Sequence, residues 1–351
     1  MDVLEVIIWR QIMKKISIVV PCYNVENYVR ETLDSIVGQS FGLDQIEVIV
    51  VDNGSTDGTL FVLQEYEGKY PDDILLVQIP ENRMAGYARN IGLSYVSTNY
   101  VLFVDSDDWL FESAIEELYE KITRDELDVL EFVCRMGPSL ERLTDFNHKP
   151  QGSYQIHEID SVQKRKVFYG IGPKSGFPFT KLFRTSFLRE NNIAFAEGLK
   201  YEDTSFIMFM LLYAKRYGIY DKALYGYRIN PTGITFGCKQ NDYGQFDRFK
   251  VQLQMLEECE KRGLLESFYE MIEANFIRVG FVETVMPVLK RFEYLPNELL
   301  ELITVTKSFF PNYRNNMYLN LPQYGWMQKY LHILDLLLDE QVFQTLKNEM
   351  N

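Results

Sequence analysis

The sequence has little of what metal centres and disulfide frameworks need. It contains only three histidines and four cysteines among 351 residues. The cysteines are Cys22, Cys134, Cys238 and Cys259, and no two of them form a C-x-x-C pair. Neither a zinc site nor a disulfide scaffold is therefore indicated. This cysteine usage is typical of a reducing compartment, and we expect a cytoplasmic protein.

Long apolar runs and positive charge are also scarce. No stretch approaches the ~18 apolar residues of a transmembrane helix, so we expect at most peripheral contact with a membrane. With 36 basic and 50 acidic residues, the formal net charge is −14. Because nucleic-acid binding requires a basic face, this charge argues against nucleic-acid partners. It does not exclude a phosphorylated small molecule, provided that a cation mediates the contact.

What the sequence does contain is an alternation of short apolar runs and helical patterns. The apolar runs suit strands covered on both faces, and they lie at residues 16–20, 46–51, 74–77, 100–104 and 129–133. The helical patterns lie near residues 28–37, 59–66, 84–96 and 114–122. This alternation predicts an α/β fold with a doubly wound, mostly parallel, Rossmann-like sheet. From about residue 242 only helical periodicity is found, which predicts a C-terminal helical region.

Polar residues follow three of the predicted strands. The first strand is followed by residues 21–24 (PCYN), the second by 52–58 (DNGSTDG) and the fourth by 105–108 (DSDD). Ligands of open α/β sheets bind beyond the carboxyl ends of the strands. We therefore expect these three segments to converge on one edge of the sheet and to form a site there.

Asp105, Asp107 and Asp108 place three carboxylates within four residues. Two unit charges ~4 Å apart interact by about 4 kcal/mol at an intermediate effective dielectric. A divalent cation would turn that repulsion into attraction, and oxygen ligands favour Mg²⁺ or Mn²⁺ held together with substrate phosphates. The alternative is an N-cap cluster for a helix that begins near Phe111. We favour the metal site because the cluster directly follows an apolar strand.

Two further positions have both functional and structural interpretations. Arg89 could pair with a diphosphate or a carboxylate, or it could be a surface arginine on a helix, paired with a nearby acid. Asp203 precedes an apolar helical run and is interpreted as its N-cap, and it could also act as a general base at the lip of a pocket.

Tyr225, Tyr227 and Arg228 lie on a β-like segment that follows this helical run. The two aromatic side chains could stack on a sugar, but aromatics at a period of two are more often core, which we favour. A helix is predicted over about residues 181–191.

Six segments, in this order, resemble glycosyltransferase family 2, whose members are inverting enzymes of the GT-A fold. They are 18–24 (IVVPCYN), 50–57 (VVDNGSTD), 86–92 (GYARNIG), 103–108 (FVDSDD), 181–184 (KLFR) and 201–204 (YEDT). Each segment alone is weakly specific, and their order makes the resemblance specific. It implies a GT-A catalytic domain at residues 14–235, with a nucleotide-sugar half at about 14–135 and an acceptor half at about 136–235. Residues 236–351 would form the helical C-terminal region.

The resemblance also implies a function. The donor would be a nucleotide-diphosphate sugar, with UDP expected, and the acceptor would be a saccharide, including lipid-linked ones, in surface, capsular or exopolysaccharide synthesis. Mn²⁺ or Mg²⁺ would be held by Asp107 and Asp105. Asp203 would be the catalytic base, and Glu202 and Lys181 would contact the substrate. The nucleotide-binding residues would be Pro21, Tyr23, Asn24, Asp52, Asn82, Arg89, Asp105 and Ser106.

The chain departs from the family pattern at two places. Family members often carry a Trp-Asn or Cys-Asn pair where this chain has Phe179 and Thr180, and this difference leaves the identity of the acceptor undefined. Asn53 replaces an Asp that is common in the family, and we expect little consequence from that change.

The C-terminal helices could pack on the catalytic part, form a homodimer or lie on a membrane; acidic residues such as Asp335 favour the first two. The alternative function is a catalytically degenerate nucleotide-sugar-binding or assembly module, which would lack the base or the D-x-D pair.

Overall fold

The computed structural model describes residues 14–137, 152–172, 175–230 and 239–350. All nine strands of these residues belong to one sheet. In chain order they are β1 (Ile16–Cys22), β2 (Ile46–Asn53), β3 (Ile74–Ile79), β4 (Tyr100–Phe103), β5 (Trp109–Leu110), β6 (Val129–Gly137), β7 (Tyr154–Glu158), β8 (Lys181–Arg184) and β9 (Arg216–Arg228).

The sheet changes character along its width. Its order is β3-β2-β1-β4-β8-β6-β9-β5, with β7 also paired to β9. The strands β3, β2, β1 and β4 are parallel neighbours. Beyond β4 the pairing is mixed, because β8 runs antiparallel to both β4 and β6 while β9 runs parallel to β6. The predicted α/β architecture, with a mostly parallel first half, is confirmed.

The predicted helices of the first 125 residues are confirmed, and the region beyond residue 242 is helical as expected. The α-helices of the described residues are α1 (Val29–Val37), α2 (Thr59–Lys69), α3 (Met84–Tyr95), α4 (Ala114–Arg124), α5 (Val162–Ile171), α6 (Thr185–Glu190), α7 (Asp203–Tyr213), α8 (Asp247–Lys261), α9 (Leu265–Asn275), α10 (Glu283–Arg291), α11 (Asn297–Phe309), α12 (Gln328–Leu331) and α13 (Glu340–Met350). A π-helical segment, Phe276–Val282, joins α9 to α10.

Helix α4 shows why these segments are helical. It buries Ala114, Ile115, Leu118 and Ile122, which recur at helical spacing on one face. Glutamates lie in its first turn and basic residues in its last turn. This distribution of charge complements the helix dipole, so burial and electrostatics both favour the same element.

The predicted helix over residues 181–191 is wrong at its beginning. Lys181–Arg184 is the strand β8, and the helix α6 begins only at Thr185. Leu182 and Phe183 are both fully buried because β8 lies inside the sheet between β4 and β6. Over four residues, a buried strand and a buried helical turn give the same apolar pattern, and only the sheet distinguishes them.

The C-terminal helices share a hydrophobic core with the sheet. One cluster of buried side chains extends from Val19 and Phe103 in the strands to Phe276, Leu331 and Phe343. The C-terminal region therefore packs on the α/β part, as one of the open alternatives proposed, while homodimer formation stays a prediction. The predicted boundary at residues 235 and 236 lies outside the described residues. Within those residues, no helix has both the length and the apolar character to cross a bilayer.

Candidate active site

The carboxyl ends of β1, β2 and β4 lie side by side, as the sequence predicts. Cys22 at the end of β1 is in register with Asp52 on β2. On the other side of β1, the N–H of Val104 donates to the carbonyl of Val19 at 3.0 Å. The polar segments that follow these three strands therefore meet at one edge of the parallel half.

Asn24 connects the loops that follow β1 and β2. Its side-chain oxygen accepts the N–H of Thr56 at 2.8 Å, and its own N–H donates to Ser55 Oγ at 3.1 Å. Its φ of 52° lies in the left-handed region, which Asn tolerates better than most residues. Asn24 thus shapes the loop that leaves the neighbouring Tyr23 ring exposed and Pro21 half-buried. Nucleotide contacts by these residues stay predictions.

Asn53 has a larger structural role than the sequence suggests. Its Nδ2 donates to Asn82 Oδ1 at 3.0 Å and to the carbonyl of Met84 at 3.1 Å. An Asp at this position could not donate either bond. Asp52, beside it, is buried at the end of β2. Asn53 therefore holds the segment of Asn82 at the end of β2, next to Asp52. Nucleotide contacts by Asp52 and Asn82 stay predictions.

Arg89 is a buried cation at the centre of the site. It lies on α3 and is 7% exposed, so its interpretation as a surface residue is wrong. One guanidinium nitrogen donates to Asp105 Oδ1 at 2.7 Å, and another pairs with Glu202. Burial alone would lower the pKa of Arg89, but attraction to Asp105 and Glu202 outweighs it and raises that pKa. Arg89 is therefore the link between the two acidic segments.

The aspartates after β4 are not a helix cap. The short strand β5 follows them directly, and α4 begins only at Ala114. Asp108 is buried; its carboxylate accepts the Tyr225 hydroxyl at 2.7 Å and the N–H of Arg228 at 2.7 Å. Burial, followed by repulsion from its aspartate neighbours, raises the pKa of Asp108 strongly. Asp108 thus anchors this loop to β9. The other two aspartates, Asp105 and Asp107, lie closer to the carboxyl ends of the parallel strands.

Asp105, Ser106 and Asp107 form the part of the loop that faces the edge. The Asp105 N–H donates to the Tyr225 hydroxyl at 3.1 Å, and the buried Ser106 offers its carbonyl to Thr32 Oγ1 at 2.9 Å. The Asp107 carboxylate accepts Asn230 Nδ2 at 3.1 Å. Burial, and then repulsion from Asp105, raise the pKa of Asp107.

The Asp105 and Asp107 carboxylates suit a divalent cation completed by a ligand. Within the described ranges there is no group of three or more His, Cys, Asp or Glu side chains that could hold a metal alone. Mg²⁺ and Mn²⁺ are commonly held by one or two carboxylates, with waters and substrate phosphates filling the remaining positions. Burial and then repulsion from Asp105 raise the pKa of Asp107, and such an ion would relieve the repulsion. The donor set therefore fits a metal that binds together with a diphosphate.

Sequence reasoning missed a cluster of residues behind this loop. The Arg228 guanidinium lies over the rings of Tyr28 and Trp109, at 5.2 and 4.9 Å from their centroids, and donates to Glu31 at 2.6 Å. Its Nε donates to the carbonyl of Asp107 at 2.7 Å. The signal available in the sequence was a pair of polar residues two positions apart, Arg228 at the end of β9 and Asn230 directly after it. The interpretation of Tyr225 as core holds, since its ring is fully buried.

Asp203 lies next to the Arg89 ion pairs. It is the first residue of α7, and the cap position is occupied by Glu202, so the predicted N-cap role of Asp203 is wrong. Tyr201, with a φ of 63°, turns the chain just before the helix and sets this earlier start. Burial, followed by repulsion from Glu202, raises the pKa of Asp203 to about 7 despite the opposing effect of Arg89. A carboxylate with that pKa can accept a proton near neutral pH.

Lys181 is fully buried below the site. Its ammonium donates to the carbonyls of Ser175 and Phe177 at 2.7 and 3.1 Å and lies 3.4 Å from Glu131. Burial lowers the pKa of Lys181, although Glu131 acts in the opposite direction. Lys181 thus supports the segment before β8, while its predicted contact with substrate stays a prediction.

Known proteins share both sequence and fold with this chain. The family model of glycosyl transferase family 2 matches residues 17–188. The poly(ribitol-phosphate) beta-N-acetylglucosaminyltransferase TarS of Staphylococcus aureus (strain Mu50) is 34% identical over 275 residues, which are 77% of this chain and 44% of TarS. The poly(ribitol-phosphate) beta-glucosyltransferase of Bacillus spizizenii is 30% identical over 265 residues, which are 72% of this chain and 39% of that enzyme.

The similarity extends to a solved structure. The crystal structure of S. aureus TarS matches with a TM-score of 0.64 at 25% identity, over 95% of this chain and 54% of that one. The chain therefore spans about half of the crystallised relative and less than half of the two curated relatives.

Proposed function

This chain belongs to glycosyl transferase family 2, and from that membership we propose that it is an inverting glycosyltransferase. It would move a sugar from a nucleotide-diphosphate donor to a hydroxyl of a surface polysaccharide or related cell-surface polymer. The observation that carries the proposal is the pair of contacts made by Arg89. It joins Asp105, at the end of β4, to Glu202, directly before Asp203. The carboxylate that we propose as a metal ligand and the segment of the candidate base are thereby linked through one buried cation.

The donor is proposed to be a UDP-sugar. The S. aureus protein TarS has been crystallised with UDP-GlcNAc and with UDP. In this chain, the nucleotide would lie along the ends of β1 and β2, where Asp52 and the Asn24 loop converge. The diphosphate would follow toward Asp105 and Asp107. This path uses the one sheet edge where ligands of open α/β sheets bind.

The proposed reaction is a direct displacement. Asp203 accepts the proton of the acceptor hydroxyl as that oxygen forms a bond to the anomeric carbon, and the bond from that carbon to the diphosphate oxygen breaks. Attack from the face opposite the leaving group inverts the anomeric centre. Glu202 is paired with Arg89, so it would hold the acceptor side of the site in place while Asp203 works as the base. A divalent cation held by Asp105 and Asp107 would stabilise the charge of the departing diphosphate.

The alternative is a binding or assembly module of the same fold that has lost catalysis. Such a module would have no need for a base or for a metal-binding pair. Here Asp105, Asp107 and Asp203 are all retained, and the pKa of Asp203 is raised to about 7. These features favour the enzyme over the module.

A panel of nucleotide sugars tests the proposal, each added with and without Mn²⁺ and followed by thermal unfolding. A ligand that binds only the native protein stabilises it by about 2.7 kcal/mol at a hundredfold excess over Kd. We expect a metal-dependent rise in melting temperature with one UDP-sugar, and release of UDP when a saccharide acceptor is added. Binding without any release of UDP would favour the module, and no binding of any nucleotide sugar would contradict both.

A further inference from the structure

A pocket lined in part by Tyr201, which directly precedes Glu202 and Asp203, contains two arginines that the proposed transfer does not use. Its volume is about 290 Å³, near the lower end of the range for small-molecule sites. It lies between the segment before α7 and the C-terminal helices α8 and α10. The pocket is lined by Tyr201, Gln245, Arg248, Glu283, Met286, Pro287 and Arg291.

The pocket is close to the proposed base. Tyr201 lines it and precedes Asp203 by only two residues. Consecutive Cα atoms are 3.8 Å apart, so the Cα atoms of Tyr201 and Asp203 are separated by at most about 7 Å. A molecule seated in this pocket would therefore lie close to the segment that carries Glu202 and Asp203.

Arg248 is held in place before any ligand binds. Its guanidinium carbon lies 3.4 Å from the centroid of the Tyr201 ring. The Tyr201 hydroxyl and one Arg248 nitrogen both donate to Gln245 Oε1, each at 3.1 Å. A stacked and hydrogen-bonded guanidinium has lost most of its freedom, so little further ordering is needed to bind an anion.

The charges of the pocket are not balanced. Its only acid, Glu283, is paired with Arg278, outside the lining, at 2.9 Å. Within the part of the chain that the structure describes, neither Arg248 nor Arg291 has a carboxylate within salt-bridge distance. The lining itself has a net charge of +1, from two arginines and Glu283, in a protein whose formal net charge is −14, and Arg278 neutralises that glutamate from outside the lining. Binding of a neutral saccharide would not require two arginines without carboxylate partners.

We propose that this pocket binds a phosphate group of the acceptor, so that the acceptor is a phosphodiester-linked chain. The inference rests on the proposed function and adds the acceptor class to it. The paired donors of a guanidinium match two oxygens of a phosphate. Met286 and Pro287 supply an apolar wall for the carbon skeleton next to that phosphate. One phosphate held here leaves a neighbouring hydroxyl of the chain within reach of Asp203.

Calorimetry with a short phosphodiester-linked ribitol oligomer tests the inference without donor or metal. We expect the wild-type protein to bind the oligomer, and R248Q/R291Q to bind it at least about tenfold more weakly, since two charge-assisted contacts are lost. The matched control is K250Q/K290Q, which removes the same charge from the same helices at two exposed residues outside the pocket. The control should bind within about twofold of wild type if long-range charge contributes little.

The single variant R291Q distinguishes loss of phosphate binding from a local disturbance of the structure around Tyr201. Arg248→Gln removes the contact with Tyr201, whereas R291Q leaves that contact intact and should still weaken binding severalfold. Failure of the wild type to bind the oligomer, or equal binding by all variants, would overturn the inference even if donor turnover is normal. If the oligomer binds through these arginines and no nucleotide sugar binds, the proposed glycosyltransferase function is contradicted, while phosphate binding by the pocket is still supported.

Discussion

Arg89 and Glu202 lie 113 positions apart in the chain and form a buried ion pair. Arg89 also bonds Asp105 at 2.7 Å, so one cation is shared between two carboxylates. Asp203 is next to this group and has no cation of its own among its described hydrogen-bond partners. Its raised pKa follows from burial and from the negative charge of Glu202. The same arrangement therefore fixes the geometry of the site and prepares one carboxylate to accept a proton.

Replacing Arg89 by Met should destabilise the fold strongly. The substitution leaves Asp105 and the buried Glu202 without their cation, and breaking a buried ion pair on one side typically costs about 3–5 kcal/mol. Urea unfolding of wild type and R89M measures the loss. Arg30→Met is the control, because its pair with Glu65 is exposed and screened by solvent, so its loss should lower the stability far less. Equal losses for the two variants would contradict the central role of Arg89.

Asp107→Ala should abolish metal-dependent binding of the donor. It removes one of the two carboxylates proposed to hold the cation, and the remaining Asp105 is already bonded to Arg89. Calorimetry with UDP-sugar, with and without Mn²⁺, should show that Mn²⁺ no longer improves the affinity. The fold should be retained, since burial and repulsion raise the pKa of Asp107 and its charge is unfavourable in the absence of metal. Unchanged Mn²⁺ dependence would remove Asp107 from the metal site.

Asn53→Asp should weaken the protein although it restores the residue that is common in the family. The change removes the donated bonds to Asn82 and to the carbonyl of Met84. It also adds a buried charge next to Asp52, and an unsatisfied buried partner costs about 1–3 kcal/mol. The midpoint of urea unfolding should fall, with N53A as the control that loses the bonds without gaining charge. N53D as stable as wild type would show that the segment adapts.

The strands of the parallel half and the edge at which they end could be predicted from the sequence. Runs such as residues 46–51 are buried on both faces, and the polar residues after them can only mark the sheet edge. The contacts across the site could not be predicted in this way. The pattern of apolar and polar residues around Arg89 would be the same whether its side chain were exposed or buried. Its partner Glu202 lies directly before a helix that begins more than 100 residues later. No local sequence periodicity can predict a contact over that separation.

The role of Arg228 shows the same limit. Its position on β9 could be assigned to core or to the site, because strand alternation says which residues share a face but not what that face meets. The structure places Trp109 and Asp107 there. Lys181 is the converse case, a residue of a recognised segment that turned out to be fully buried.

Asp203→Asn should change the pH dependence of stability in a defined direction. The pKa of Asp203 is raised from 3.8 to about 7 in the folded protein, so folding favours its protonated form. The stabilisation that it gives is present below the pKa of the unfolded chain and is lost as pH rises to the folded value. D203N, which stays neutral, should match wild type near pH 4 and exceed it above pH 7, by about 1–2 kcal/mol after allowance for partial exposure.

The control for that experiment is Asp57→Asn, which should show the opposite sign. Hydrogen bonds from Thr59 outweigh burial and lower the pKa of Asp57. Asp57 therefore contributes stability that is present above its unfolded pKa and lost in acid, and D57N should be less stable than wild type at neutral pH. Thermal unfolding of the three proteins without ligand, from pH 4 to 8, measures both effects. Parallel curves for D203N and wild type would contradict the raised pKa.

Asp203→Asn should also separate donor binding from transfer. An amide is nearly the size of a carboxylate but cannot accept the acceptor proton, and loss of a general base typically lowers kcat by about 10²–10⁴-fold. The Kd of the UDP-sugar should be unchanged, because the proposed donor contacts lie on the other side of Arg89. In the wild type, kcat should fall as pH is lowered through about 7, where Asp203 becomes protonated. A D203N protein that turns over normally, or a wild-type rate that is flat from pH 5 to 8, would assign the proton transfer to another group.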